Sequence, residues 1–224
     1  MKSRLLRALI VSCTVFVAAC APVKPTPQPS PAPAAPTPAP PPPPESKREA
    51  IALSWDTSPE HVAWSRALVD AVRSHKSALD AGNPDAFIPG YSALSPDGQI
   101  KFWAELVVAI AKYESTWNAH AHFKEPPPLN VMSVGLLQIA YEDQKEYHFD
   151  PPLDRTTNSL EDAATNLRSG VTILAQLVSH DGAIVGGSGD HSRGAARYWA
   201  VLRSGKSHHL EAIKALTKKN AGIS

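Results

Sequence analysis

From Pro22 to Pro44 almost every second residue is proline, interleaved with Ala, Thr, Ser and Gln. Such a stretch has too few backbone N–H groups for a hydrogen-bond ladder and too little apolar bulk for a core. It is expected to be an extended polyproline-type tether reaching on the order of 70 Å if straight, at about 3.1 Å per residue. The tract divides the chain and confines any globular fold to the residues after it. No internal repeat is visible there, and residues 51–224 suffice for one core-bearing domain.

The segment before the tract reads as an export signal. Lys2, Arg4 and Arg7 precede an apolar run from Ala8 to Ala19, interrupted only by Ser12, Cys13 and Thr14. That run is too short to span a bilayer comfortably, and small residues follow it, as in a cleaved signal peptide. It ends in Val17-Ala18-Ala19-Cys20, which looks like a bacterial lipobox: cleavage after residue 19 would leave a lipid-modified Cys20 as the new amino terminus. The plainer alternative is an ordinary signal cut near Ala21. The expected organisation is therefore signal 1–19, lipidated cysteine and linker 20–50, and globular domain 51–224. Ala21 lacks the Asp that favours inner-membrane retention, which points to the periplasmic face of the outer membrane.

Cys13 is the other cysteine, so the mature chain would hold no thiol for a disulfide, a zinc site or a nucleophile beyond the lipidated one. Loss of Lys2, Arg4 and Arg7 takes the formal charge from +1 to −2, giving no reason to expect nucleic acid as a partner. His120-x-His122 has the spacing of a possible metal pair, but no His-Glu-x-x-His pattern accompanies it. No metal and no organic cofactor are expected.

The remainder reads as mainly α. Glu60–Leu79 has Val62, Leu68, Val69 and Val72 at helical spacing and stops at Gly82-Asn83-Pro84. Ser95-Pro96-Asp97 supplies an N-cap and a proline at the first helical position for a helix to Ser115. The segments Gly135–Tyr147, Leu160–Ser179, Gly194–Leu202 and His209–Lys218 also read as helical. Lys124–Asn130, with three prolines, is a loop, and no alternating strand is evident.

The helix ending at Ser115 carries the most informative side chain. At about 100° per residue, Trp103, Val107 and Ile110 share one line, while Lys101, Glu105 and Lys112 lie opposite. Glu114 falls on the apolar line. A carboxyl there either pairs with a cation or keeps its proton with a raised pKa, and a protonated carboxyl at neutral pH is what a general acid requires. The competing readings are a side chain turned outward near the helix end and a structural ion pair with an arginine.

Glu114-Ser115 is followed by Trp117-Asn118, by Ser133-Val134-Gly135-Leu136-Leu137-Gln138, by Asn166-Leu167 with Gly170 and Leu174, and by Ala196-Arg197-Tyr198. This order, over roughly residues 85–205, resembles the lytic transglycosylases with a lysozyme-like fold of the goose-type class. The resemblance implies Glu114 as acid/base, with Ser115, Ser133, Gly135, Gln138, Asn166 and Tyr198 binding substrate. It also implies peptidoglycan glycan strands as the partner, cleavage of the MurNAc–GlcNAc β-1,4 bond, 1,6-anhydro-muramoyl ends and a monomer. Trp199 departs from the family, which usually has asparagine after the tyrosine.

Glycosidases normally use two carboxylates, about 5–5.5 Å or about 6.5–9.5 Å apart. Near the Gly-Leu-Leu-Gln turn the sequence offers Glu142, Asp143 and Glu146, with nothing to single one out. A glycan-binding or scaffolding lipoprotein of weak activity and a hydrolytic muramidase are the alternatives. The anchor is directly testable: Cys20→Ser is expected to leave the domain folded but absent from the membrane pellet, and a variant that still sediments with membranes removes the lipobox reading.

Overall fold

The computed structural model describes residues 50–224. The signal, Cys20 and the proline tether lie outside the described residues. Helix α1 (Pro59–Asp80) begins where the Ser58 hydroxyl accepts the His61 N–H at 3.2 Å, with Pro59 at the first turn. Ser65, Leu68, Val69, Val72 and Leu79 form its buried stripe. A short helix α2 (Pro84–Phe87) leads to α3 (Pro96–Ser115), capped by Ser95 accepting the Gly98 N–H at 3.1 Å. Thr116, in the left-handed region at φ 53°, ends α3.

Every residue of α3 from Phe102 to Ala111 is buried. The helix lies between α1 and the carboxy-terminal helix α5 (Leu210–Ala221), so both of its faces are covered. This corrects the expectation for Glu105, which the helical projection put on the outer face. Glu105 is 1% exposed, and its carboxylate accepts hydrogen bonds from the Ser54 N–H (2.7 Å), the Ser54 hydroxyl (2.6 Å) and the Asn220 amide (3.2 Å). These contacts, with buried Trp55 donating to Ser65 Oγ at 2.7 Å, fasten the segment before α1 to the domain.

Three short antiparallel strands follow α3: β1 (His122–Lys124), β2 (Met132–Val134) and β3 (Ile139–Ala140), with Phe123 opposite Ser133 and Val134 opposite Ile139. The expected helix over Gly135–Tyr147 is absent. Gly135 (φ 77°) and Gln138 (φ 50°) both sit in the left-handed region, which folds 135–138 into the turn joining β2 to β3. Only a 3-10 stretch, Tyr141–Lys145, is helical there. Strands of two or three residues are too short for an apolar–polar alternation to register, which is why none was expected.

Helix α4 (Ala163–Asp181) is capped by Asp162, whose carboxylate accepts the Thr165 N–H at 2.8 Å, and packs extensively along α1. The expected helix over Gly194–Leu202 is instead the end of strand β5 (Arg193–Gly194), paired with β4 (Val185–Gly186), followed by two 3-10 turns at Ala195–Arg197 and Ala200–Leu202. With five α-helices and small sheets among the described residues, the class is mainly α, as expected.

The β2–β3 turn is fixed to α4 from inside. Asn166 has no exposed surface; its Oδ1 accepts the Leu137 N–H at 2.9 Å, and its Nδ2 donates to the Val134 carbonyl (2.9 Å) and the Leu160 carbonyl (3.0 Å). Leu137 fills the notch left by Gly170, where an added Cβ would stand 2.1 Å from Leu137 Cδ1. Asn166→Ala strips three buried backbone groups of their partner, so a loss of about 2–4 kcal/mol is expected in urea unfolding. A loss below about 0.5 kcal/mol would show that those groups find other partners.

Candidate active site

Glu114 stands in the last turn of α3, one residue before the buried Ser115. The Ser115 hydroxyl lies 2.9 Å from the Leu136 carbonyl and 3.1 Å from the Ala111 carbonyl. It therefore joins the helix end to the β2–β3 turn, the partner this structure gives the side chain expected at the substrate. Glu114 itself is half-buried, as its position on the apolar line predicts. Burial pushes its pKa up to about 7, and the negative charge of Glu125 adds to the rise. Among the described residues no cation offsets either effect on Glu114. The ion-pair alternative is thereby set aside.

Glu125 is the acid that the sequence reading missed. It follows β1 directly, its N–H donating to the Val131 carbonyl at 2.9 Å, and its Oε1 accepts the hydroxyl of buried Ser133 at 2.7 Å. The three acids weighed from the sequence are disposed otherwise. Glu142 pairs with Arg155 at 2.8 Å, Asp143 accepts the Tyr198 hydroxyl and the Ala140 N–H (2.8 Å), and Glu146 is exposed. None of them acts on Glu114. The signal for Glu125 was faint, since it rests on β1 and β2 pairing in register.

Most of the other residues expected at the substrate also fasten the same turn. At Gly135 an added Cβ would lie 2.3 Å from Asn166 Nδ2 and 2.6 Å from the Leu160 carbonyl; the close approach that needs glycine is to protein. Gln138 is half-buried, and its Nε2 donates to the carbonyls of Gly135 (2.8 Å) and Ala121 (3.3 Å). Asn166, also expected at the substrate, has no exposed surface, and its carboxamide is committed to the backbone. The Ser133 hydroxyl is directed at Glu125.

Tyr198 is half-buried and donates its hydroxyl to Asp143, with its ring edge-on to Tyr147 at 6.1 Å. Burial raises the Asp143 pKa, and the hydrogen bonds from Tyr198 and Ala140 work against that rise. Trp199, at the position of the departure, is 2% exposed and donates its indole N–H to the Leu137 carbonyl at 3.0 Å. It is a core residue that ties the carboxy-terminal 3-10 segment to the same turn. His120 and His122 both meet Glu161, at 3.3 Å and 3.2 Å.

The transglycosylase SLT domain, as a family model, matches residues 97–208. No curated protein matches the chain. Among solved structures, wild-type Bd0314 DslA (form 2) is 31% identical, with a TM-score of 0.65 over 77% of this chain and 97% of its own. A glutamate-to-glutamine mutant of the same protein gives 29% identity and a TM-score of 0.63, over 74% and 93% of the two chains. A second such mutant gives 28% and 0.59, over 77% and 97%. The two glutamates replaced in those mutants lie 11 residues apart. The fold is accordingly lysozyme-like.

The Glu114 shift has a consequence for stability. Its carboxyl holds the proton more tightly in the folded state (about 7) than at its ordinary value of 4.5. Its contribution is therefore fully present below about pH 4.5 and is lost as pH rises through about 7. Glu114→Gln removes that titration. It is expected to exceed wild type by about 2 kcal/mol at pH 8, after discounting for partial exposure, and to match it at pH 4. Urea unfolding at the two pH values checks this; an equal difference at both would mean a solvated carboxylate.

Proposed function

The chain belongs to the transglycosylase SLT family, and from that premise we propose that it is a peptidoglycan lytic transglycosylase with Glu114 as acid and base. The observation that carries this reading is a half-buried carboxyl at the end of α3 with no cation among the described residues to neutralise it, so that a large share keeps the proton near pH 7. The Glu114 proton passes to the glycosidic oxygen as the bond from the MurNAc anomeric carbon to that oxygen breaks. The substrate's N-acetyl group assists at the anomeric carbon. The 6-hydroxyl of the same MurNAc then attacks, and its proton returns to Glu114. The product is a 1,6-anhydro-muramoyl end, and no water is consumed.

Anchored through a lipid at Cys20, on the periplasmic face of the outer membrane, the domain would work at the end of the proline tether. We take it to act as a monomer. One observation favours a second reading: Glu125 gives the site a second carboxylate, which suits activation of water and hydrolysis by a muramidase.

Mass spectrometry of muropeptides released by the purified domain separates the two. Anhydro ends, lighter by one water than reducing ends, are the expected result; reducing ends would make the protein a muramidase. Glu114→Gln keeps the shape and removes the transferable proton, a contribution of about 10²–10⁴-fold for general acid–base catalysis. Cleavage by that variant is expected to fall to the detection limit, and a fully active variant would exclude Glu114 from the chemistry.

A further inference from the structure

Glu125 has features that an ordinary surface acid lacks. Its backbone is held by the Val131 carbonyl, and its carboxylate is held by a buried serine hydroxyl across the β1–β2 pair. Among the described residues no cation forms an ion pair with it. The adjacent Lys124 ammonium is turned to the Asn130 carbonyl, at 2.6 Å. Three prolines, Pro126–Pro128, follow Glu125 and limit the ways its loop can relax.

The charged groups of the neighbouring segments have partners of their own. On its own helix, the Lys112 ammonium lies over the rings of Tyr113 and Trp117, at 6.0 Å and 5.9 Å. On the hairpin, His120 and His122 are turned to Glu161. In the Tyr141–Lys145 segment, Glu142 is paired with Arg155 and Asp143 with the Tyr198 hydroxyl. Glu125 is brought toward Glu114 by the hairpin: Ser115, next to Glu114, bonds the Leu136 carbonyl, and Leu136 stands three residues from Ser133, which holds Glu125. Its negative charge adds to the burial of Glu114. The 11-residue interval from Glu114 to Glu125 equals that between the two glutamates replaced in the DslA mutants.

We infer that Glu125 is a positioning residue for Glu114: a negative charge fixed beside the acid by the Ser133 hydroxyl, which keeps the proton on Glu114 until the glycosidic oxygen takes it. The same charge makes the Glu114 carboxylate a stronger base once the proton has left, so it favours recovery of a proton from the attacking hydroxyl. Glu125 itself exchanges no proton in this scheme. The inference rests on the role of Glu114 proposed above.

Two measurements on the purified domain test it. The first is the titration of Glu114 in the absence of substrate, followed by NMR of carboxyl-labelled glutamate and assigned with Glu114→Gln. Neutral replacement by Glu125→Gln or Glu125→Ala is expected to move the Glu114 midpoint down by up to about one pH unit, and Glu125→Asp is expected to restore much of it. Either neutral variant that folds suffices. An unmoved midpoint overturns the inference.

The second is the pH profile of glycan cleavage. The fall in rate on the alkaline side is expected to begin at lower pH in Glu125→Gln. A one-unit shift from about 7 leaves about fivefold less protonated acid at pH 7, and the deficit should narrow toward pH 5. A loss of equal size at every pH overturns the positioning role, since it is what a purely structural lesion produces. If the midpoint moves but the wild-type protein cleaves no glycan, the Glu114–Glu125 coupling stands and the proposed function fails.

Discussion

The buried carboxamide of Asn166 is the contact on which the architecture of the site depends. It has one acceptor atom and two N–H groups, and all are used on backbone: the Leu137 N–H, the Val134 carbonyl and the Leu160 carbonyl. Those groups belong to the β2–β3 turn, to β2 and to the segment leading into α4. Without Asn166 they would lose this partner inside the protein, a penalty of about 2–4 kcal/mol in all. The rest of the turn's attachments assume that this one is made. Gly135 must lack a Cβ because the carboxamide occupies its place, and Leu137 reaches the Gly170 notch because its N–H is drawn to Asn166. Trp199 and Ser115 then bond the carbonyls of Leu137 and Leu136.

This arrangement gives several of the motif residues a structural task. Ser115, Gly135, Gln138, Asn166 and Trp199 converge on one four-residue turn, and their polar atoms or missing atoms hold it in place. The same turn connects β2 to β3, and β2 carries Ser133, which holds Glu125. The geometry around Glu114 is thus set through the hairpin, by residues that need not touch a sugar. The departure at Trp199 belongs to this group: an indole N–H in the core makes a bond to the turn, so the position is given to packing.

Much of the helical frame was legible because its signals are local. Ser58-Pro59 and Ser95-Pro96 mark the starts of α1 and α3, and the spacing of Leu68, Val69 and Val72 marks a buried face. Glu114 was legible for the same reason, since a position on a helix is fixed by counting. Glu105 was misread because projection assumes one covered face, whereas α3 is enclosed by α1 and α5 together. The hairpin was misread because positive φ at Gln138 is a tertiary outcome that no local propensity announces. Glu125 was missed for a related reason: its relation to Glu114 passes through a strand pairing rather than a helical period.

The two glutamates of α3 show two opposite environments for an acid taken out of water. Glu105 and Glu114 lie on the same helix, nine residues apart in sequence, and each is taken at least partly out of water. Glu105 is supplied with three hydrogen-bond donors from Ser54 and Asn220, which compensate a carboxylate and bind the amino- and carboxy-terminal segments to the core. Glu114 receives no such compensation among the described residues, and a second negative charge is set beside it. Donors around the Glu114 carboxylate would stabilise the charged form and pull its proton off at neutral pH. Their absence costs the fold stability above neutral pH, a cost that the role proposed for Glu114 would require. Burial is shared by both residues; the supply of donors is what separates a structural carboxylate from one that keeps its proton.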